Sequence, residues 1–232
     1  MRTIPYDDRP LWLRVTVALI GLVLYIVSLL AWVAAGWVWL PLCLLTLPLF
    51  ISLLQLTFAP FMRLIGSIEY VSPMLLVYGP TPEKYNLHNG TTFAFLYNFW
   101  GVPPGALVRY RTLEYHYAGF LGIIERIKSG QVPPTVLITG TSYFFSERTM
   151  QKLGFRIEPP SIWAVLNLWM NGFDLFWMYS YAQGRIAWPR LTHIRRAVTT
   201  GAELVAHEAS IRRLYDLLQT RADRLAAQSP AR

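Results

Sequence analysis

Between Arg14 and Arg63 the chain runs 48 residues without a formal charge. A water-soluble fold rarely leaves so long a stretch unbroken by Lys, Arg, Asp or Glu. About 20 apolar residues span the hydrocarbon core of a bilayer as a helix, so the segment is too long for one crossing and fits two joined by a tight turn. The expected spans are Val15 to about Ala34 and Trp37 to about Phe58, turning at Ala34-Ala35-Gly36. Trp32, Trp37 and Trp39 cluster at that turn, where indole rings favour the headgroup level. Pro41 suits the first turn of the second helix, whereas Pro48 lies deeper and predicts a kink. A removable signal peptide fits poorly, because no small-residue cleavage site is evident and a second apolar helix comes at once.

The flanks set the expected orientation. Arg2, Arg9 and Arg14 precede the hairpin and Arg63 lies after it, while the turn is uncharged. The positive-inside rule then places both termini in the cytoplasm of an integral protein of the plasma or inner membrane. Charged residues make up 15% of the chain, against about 25% in soluble domains, which agrees with that placement. The net charge of +8 is spread through the chain with no basic tract, which points to anionic lipid headgroups as partners and away from nucleic acid. The only cysteine, Cys43, lies in the second apolar helix, so neither an intrachain disulfide nor a cysteine metal cluster is expected.

The overall expectation is a membrane-anchored α/β protein. Its N-terminal tail covers residues 1–14, and a two-helix transmembrane hairpin covers 15–62. A small cytoplasmic α/β domain covers 63–160, and an apolar, aromatic-rich membrane-surface or docking segment covers 161–189. An amphipathic helix at 190–227 and a tail at 228–232 complete the chain. Within the α/β part, Met74–Tyr78 reads as a strand and Asn89-Gly90 as a turn pair, with Thr91 or Thr92 capping a short helix to about Phe99. Apolar residues spaced three or four apart predict a helix over Leu107–Lys128. Thr135–Thr139 is the clearest strand, and Ser146 caps a short helix through Lys152. Phe155–Ile157 reads as a further strand. Two or three strands make only a small sheet, which the Met74 segment would complete.

Residues 161–182 carry one charge, Asp174, among Trp, Leu, Met, Phe and Tyr. The segment suits a helix against the membrane or the hairpin, a shallow membrane segment, or a core helix. Asn167, Asn171 and Asp174 oppose a clean bilayer span, because each buried polar group needs a partner. Arg185 and Arg109 are the candidate partners for Asp174. In the last helix Leu204, Ile211, Leu218 and Leu225 recur every seven residues, with Leu214 in the same stripe. That pattern suits a coiled-coil seam or docking, either within the protein or onto a protein partner or second copy.

No complete catalytic signature is present. The four histidines show no metal-binding spacing, so no metal site is expected. The candidate chemistry sits at His88, Glu114, Ser142 and Arg148, with Asn89, Thr91, Thr92, His116, Thr139 and Thr141 as neighbours in the sequence. His88 suits a general base, and Thr141 or Ser142 a phosphate or carbonyl contact at a strand end. The bland alternative is that His88 and Asn89 form a hydrogen-bonded turn, Ser142 caps the next segment and Arg148 pairs with an acid.

The segment Ser146-Glu-Arg-Thr-Met-Gln-Lys-Leu-Gly154-Phe155 resembles the helix-to-strand end of acetyltransferases of the GNAT family. The resemblance covers ten of 232 residues. The family's Gly-rich pyrophosphate arch has no match, so no cofactor is carried over and none is expected. Two functions stand as expectations. The first is a membrane-anchored binding or assembly protein, a subunit of a larger complex or a small homo-oligomer. The alternative is a membrane-associated transferase acting on a lipid or acyl substrate.

Overall fold

The computed structural model describes residues 6–142, 146–189, 191 and 194–228. The uncharged segment forms one folded-back element, α1 (Leu11–Leu64), with non-helical backbone at Trp39 dividing it into arms Leu11–Trp37 and Trp39–Leu64. Both arms are long and apolar enough to cross a membrane by length and composition. The turn falls three residues later than the Ala34-Ala35-Gly36 step. Pro41 explains the shift: its ring nitrogen leaves the carbonyl four residues back without a helical partner, so the chain breaks just before it. Pro48 lies within the second arm with helical backbone dihedrals. The arms touch where Gly21 faces Thr57, and a Cβ at Gly21 would collide with the Thr57 carbonyl. Tyr25 stacks on Phe58 at 4.4 Å and Trp32 on Phe50 at 4.8 Å.

The remainder is a mixed α/β domain. In chain order it comprises β1 (Ile68–Ser72), β2 (Leu75–Tyr78), β3 (Lys84–Asn89), α2 (Thr92–Phe99) and α3 (Ala106–Lys128). Next come β4 (Leu137–Ser142), α4 (Glu147–Lys152), β5 (Arg156–Glu158), α5 (Ile162–Met170) and α6 (Gly172–Gln183). The chain ends with β6 (Arg195–Thr200), α7 (Gly201–Ala206) and α8 (Glu208–Gln228). The six strands form one sheet in the order β1-β2-β3-β4-β6-β5, larger than the two or three strands expected. All neighbours are antiparallel except β3 and β4, which run parallel, as the intervening α2–α3 crossover requires.

Two expectations are corrected, and a third is refined. Residues 190–227 are not one helix, because Arg195–Thr200 is an interior strand of the sheet. His88 and Asn89 belong to β3 rather than to a turn. The 161–189 segment contains two helices, meeting at Asn171, and both pack against α1.

One face of the sheet carries the main core. Leu75, Val77, Leu87 and Ile138 point there and meet Phe120, Ile123, Ile124 and Ile127 of α3, together with Leu153, Leu204 and Ile211. Gly119 lets α3 approach β2, since a Cβ there would lie 2.6 Å from the Leu75 side chain. The opposite face is divided. Over β1 and β2 it is apolar: Ile68, Tyr70 and Leu76 are covered by Phe95 and Phe99 of α2 and by Trp177 and Met178 of α6. Over β3, β4 and β6 it is mainly polar, with Lys84, Asn86, His88, Thr139, Thr141 and Arg196.

The hairpin is tied to the domain at its base. The Arg63 guanidinium lies 4.3 Å from the Tyr70 ring centre and 4.9 Å from that of Tyr6, and pairs with Asp7 at 2.5 Å. Cation–π contacts of this kind contribute about 0.5–2 kcal/mol each.

Candidate functional site

Side chains alternate across a strand, so residues 84, 86 and 88 of β3 share one face. The parallel register runs from Lys84 opposite Leu137 to Leu87 opposite Gly140 and stops there, although both strands continue two residues further. The strands part at His88–Asn89 and Thr141–Ser142. Small and large cavities adjoin the gap from the two faces of the sheet, and both are lined by His88, Asn89 and Thr141. On the main-core side the cavity holds about 20 Å³. On the other side a cleft of about 750 Å³ opens between the sheet and helices α5 and α6.

This cleft has a polar floor and a largely apolar roof. Tyr78, Lys84, Asn86, His88, Thr139, Thr141 and Arg196 form the floor, while Trp163, Ala164, Leu168, Leu175 and Met178 form the roof. At one end lies a polar nook of Gln55, Asn167, Asn171, Thr91 and Asp174. Gln55 belongs to the second arm of α1 and donates to the Asn171 side-chain carbonyl oxygen, joining hairpin and α6. Asn171 in turn donates to the Asn167 backbone carbonyl at 2.6 Å.

His88 is the titratable group best placed for chemistry. Its ring packs edge-on against Tyr78 with centres 4.8 Å apart. Burial pushes its pKa down from 6.5 to about 4, so the imidazole is neutral at physiological pH. Thr139 donates to Asn86 at 3.2 Å beside it. His116 of α3 reaches the end of β3 through Asn89. Its Nδ1 lies 2.7 Å from the Thr112 backbone carbonyl. Nε2 lies 2.9 Å from the Asn89 side-chain carbonyl oxygen. Burial also lowers the pKa of His116, which favours its neutral form.

The sequence candidates converge only in part. His88 and Thr141 line the same cleft, with Asn89, Thr91, Thr139 and Asp174. Glu114 does not join them: it is buried on α3 and pairs with Arg111 at 2.7 Å, which also reaches Asp223 of α8 at 3.0 Å. Arg148 is exposed on α4. Ser142 ends β4, and its side chain lies outside the described residues. Asp174 pairs with neither Arg185 nor Arg109. Its Oδ1 accepts from the Thr92 hydroxyl at 2.6 Å and from the Trp177 indole at 3.0 Å, and Arg109 turns instead to Gln183. Tyr78, Lys84, Asn86 and Arg196 of the floor were not singled out from the sequence. The signal available for them was the alternation Lys84, Asn86, His88 against Tyr85 and Leu87.

The heptad stripe is used inside the chain. Leu204, Ile211 and Leu218 are buried, Leu214 packs against the main core, and Leu225 is half-buried, with α8 lying along α3. The segment Ser146–Phe155 forms a Ser146-capped helix leading through Gly154 towards β5, the helix-to-strand step that the resemblance implies. Among the described residues no group of three or more His, Cys, Asp and Glu side chains could hold a metal. No family model matches the chain, and no curated protein or solved structure is significantly similar to it.

Proposed function

We propose that the chain is a membrane-associated transferase acting on an acyl or lipid substrate held in the cleft between the sheet and α5–α6. The observation that carries this reading is the cleft itself: a neutral imidazole on a polar floor, at the parting ends of two parallel strands, beneath an apolar roof. Ligands in α/β sheets favour such strand ends. The two arms of α1 anchor the protein in a bilayer with both termini on the cytoplasmic side. The cleft then sits against the membrane surface, because α5 and α6 pack on α1, with Gln55 of the second arm bonded to Asn171, and α5 exposes Ile162, Trp163, Leu166 and Trp169. Membrane lipid is the natural partner for that face.

In the reaction, His88 accepts the proton of an acceptor hydroxyl or amine as it attacks the carbonyl carbon of an acyl ester or thioester. A bond forms between acceptor and acyl carbon, and the bond from that carbon to the donor's oxygen or sulfur breaks. The proton on His88 leaves with the released alcohol or thiol. The edges of β3 and β4 that no longer pair, at residues 88–89 and 141–142, offer backbone groups to the developing oxyanion.

The test uses the full chain in lipid nanodiscs, supplied with an acyl thioester and a mixed lipid extract, with products identified by mass spectrometry. Acylated product should form and should fall about a hundredfold or more in His88→Gln. Lack of product with the native chain, or undiminished product in the variant, overturns the reading. The assembly reading keeps one favouring observation, the exposed apolar face of α5. A stoichiometric protein partner in the detergent-solubilised particle, lost on Trp163→Ala, would establish it.

A further inference from the structure

The cleft floor carries positive charge that its own walls do not neutralise. Arg196 of β6 and Lys84 of β3 both line it. Glu158 of β5 lies 3.8 Å from Arg196, beyond hydrogen-bond length, and both side chains are partly exposed, so the pair is a weak one. Among the described residues the acid that lines the cleft is Asp174, and its Oδ1 is turned to Thr92 and Trp177.

The sheet register places Arg196 relative to His88. Leu87 pairs with Gly140, so the next residues, His88 and Thr141, begin a row across the sheet, and Thr141 pairs with Arg196. His88, Thr141 and Arg196 therefore lie in one line, and all three line the cleft. Neighbouring strands are about 4.8 Å apart, which puts Arg196 about 10 Å from His88 at the backbone. Lys84 is off that row, four residues or about 13 Å from His88 along β3.

We infer that Arg196 anchors a subsite for a phosphate monoester on the substrate, one strand beyond Thr141 and in line with the reacting group at His88. A guanidinium offers paired N–H donors that match phosphate oxygens, and its donors are not taken by Glu158 at 3.8 Å. Thr141 adds a hydroxyl between the two ends of the row. Trp163, Leu168 and Met178 of the roof suit an acyl chain. The ligand class is therefore a lipid phosphate monoester with a hydroxyl a few bonds from phosphorus. Lys84 stands farther from the row than the screening length of about 8 Å at physiological salt, so it helps draw an anion in but does not hold it. The inference rests on the transferase reading only for the role of His88, and it names the acceptor class for that reaction.

Binding is measured separately from turnover. The full chain in an uncharged detergent is titrated by native mass spectrometry with a short-chain monoacylglycerol phosphate, the matching monoacylglycerol, the matching lysophosphatidylcholine, whose phosphate is a capped diester, and free glycerol phosphate. The monoacylglycerol phosphate should bind about tenfold more tightly than the other two lipids. Arg196→Gln should remove that preference with circular dichroism unchanged. Lys84→Gln makes the same change of charge and should weaken binding by no more than about threefold at physiological salt. If Arg196→Gln fails to fold, Arg196→Lys, which keeps the charge and loses the paired donors, should still reduce the preference.

A preference that survives these Arg196 variants, equal losses in Arg196→Gln and Lys84→Gln, or equal binding of the three lipids overturns the inference. Glycerol phosphate bound as tightly as the lipid supports the same subsite with a soluble source. Acyl transfer is assayed on the same preparations. Phosphate selectivity without transfer leaves the subsite and removes the transferase reading, and transfer without selectivity does the reverse.

Discussion

Ile211→Ala tests whether the heptad stripe belongs to this fold or to a partner. Ile211 has 0% exposure and sits among Ile123, Ile124 and Leu204 where α8 lies along α3. The substitution removes three carbons, worth about 0.8 kcal/mol each, or about 2.4 kcal/mol of transfer free energy. The residual cavity raises this towards 3–4 kcal/mol, within the range of about 2–5 kcal/mol seen for such truncations. Leu217 on the same helix is 44% exposed, and Leu217→Ala should change stability by no more than about 0.5 kcal/mol. With a urea slope of about 2 kcal/mol/M, Ile211→Ala should lower the unfolding midpoint by about 1.5–2 M and Leu217→Ala by a few tenths. Unfolding is followed by tryptophan fluorescence in detergent, and particle mass is measured alongside. An unchanged midpoint together with loss of a larger species would refute the reasoning, because the stripe would then be buried only in an assembly.

Two further outcomes rest on the same packing. His88 and His116 both have pKa values lowered by burial, so the unfolded chain binds more protons than the native one once pH drops below about 6.5. Their contribution is fully present above pH 6.5 and is lost as pH falls below it, the His88 part as pH falls towards 4. The native urea midpoint should therefore decline over that interval, and His88→Gln should flatten the decline; parallel curves for the two proteins would contradict it. Gly21→Val should push the arms of α1 apart against the Thr57 carbonyl. Cys43, buried between the arms, should then react faster with a small maleimide, and an unchanged rate would show that the arms do not rely on that contact.

The hairpin was legible because 48 uncharged residues admit few other outcomes, and α3 because its apolar spacing is long and regular. Short strands fared differently. Arg195–Thr200 begins with two arginines and runs straight into Gly201, so it looks like the approach to a helix; its pairing with both β4 and β5 is what makes it a strand. Tertiary pairing overrides local preference most easily in segments of five or six residues. Asn89-Gly90 carries the signature of a hairpin turn, yet Asn89 closes a strand. Gly90 is there because Met74 packs against its Cα, leaving 2.9 Å between the Met74 side chain and any Cβ. The heptad stripe was legible as a stripe, but α3 as its cover was not, since periodicity records that a face is buried and not against what.

The same limit explains the site. His88 stood out by type, while Lys84, Asn86, Thr139 and Arg196 became meaningful only when the sheet order placed them on one face. A sheet covered by helices on both sides is ordinarily apolar on both. Here the cover is uneven: Ile68, Tyr70 and Leu76 bury an apolar half under α2 and α6, whereas the half over β3, β4 and β6 presents amide, hydroxyl, imidazole and cationic groups to α5. Direct packing of Trp163 and Leu168 onto those groups would strip them of hydrogen bonds at about 1–3 kcal/mol each. A cleft avoids that cost by leaving room for water or a polar ligand, and the roof remains apolar because it continues the surface of the hairpin. The division of the sheet face therefore argues that the cleft is a requirement of the sequence rather than a packing fault, and that its occupant is amphiphilic.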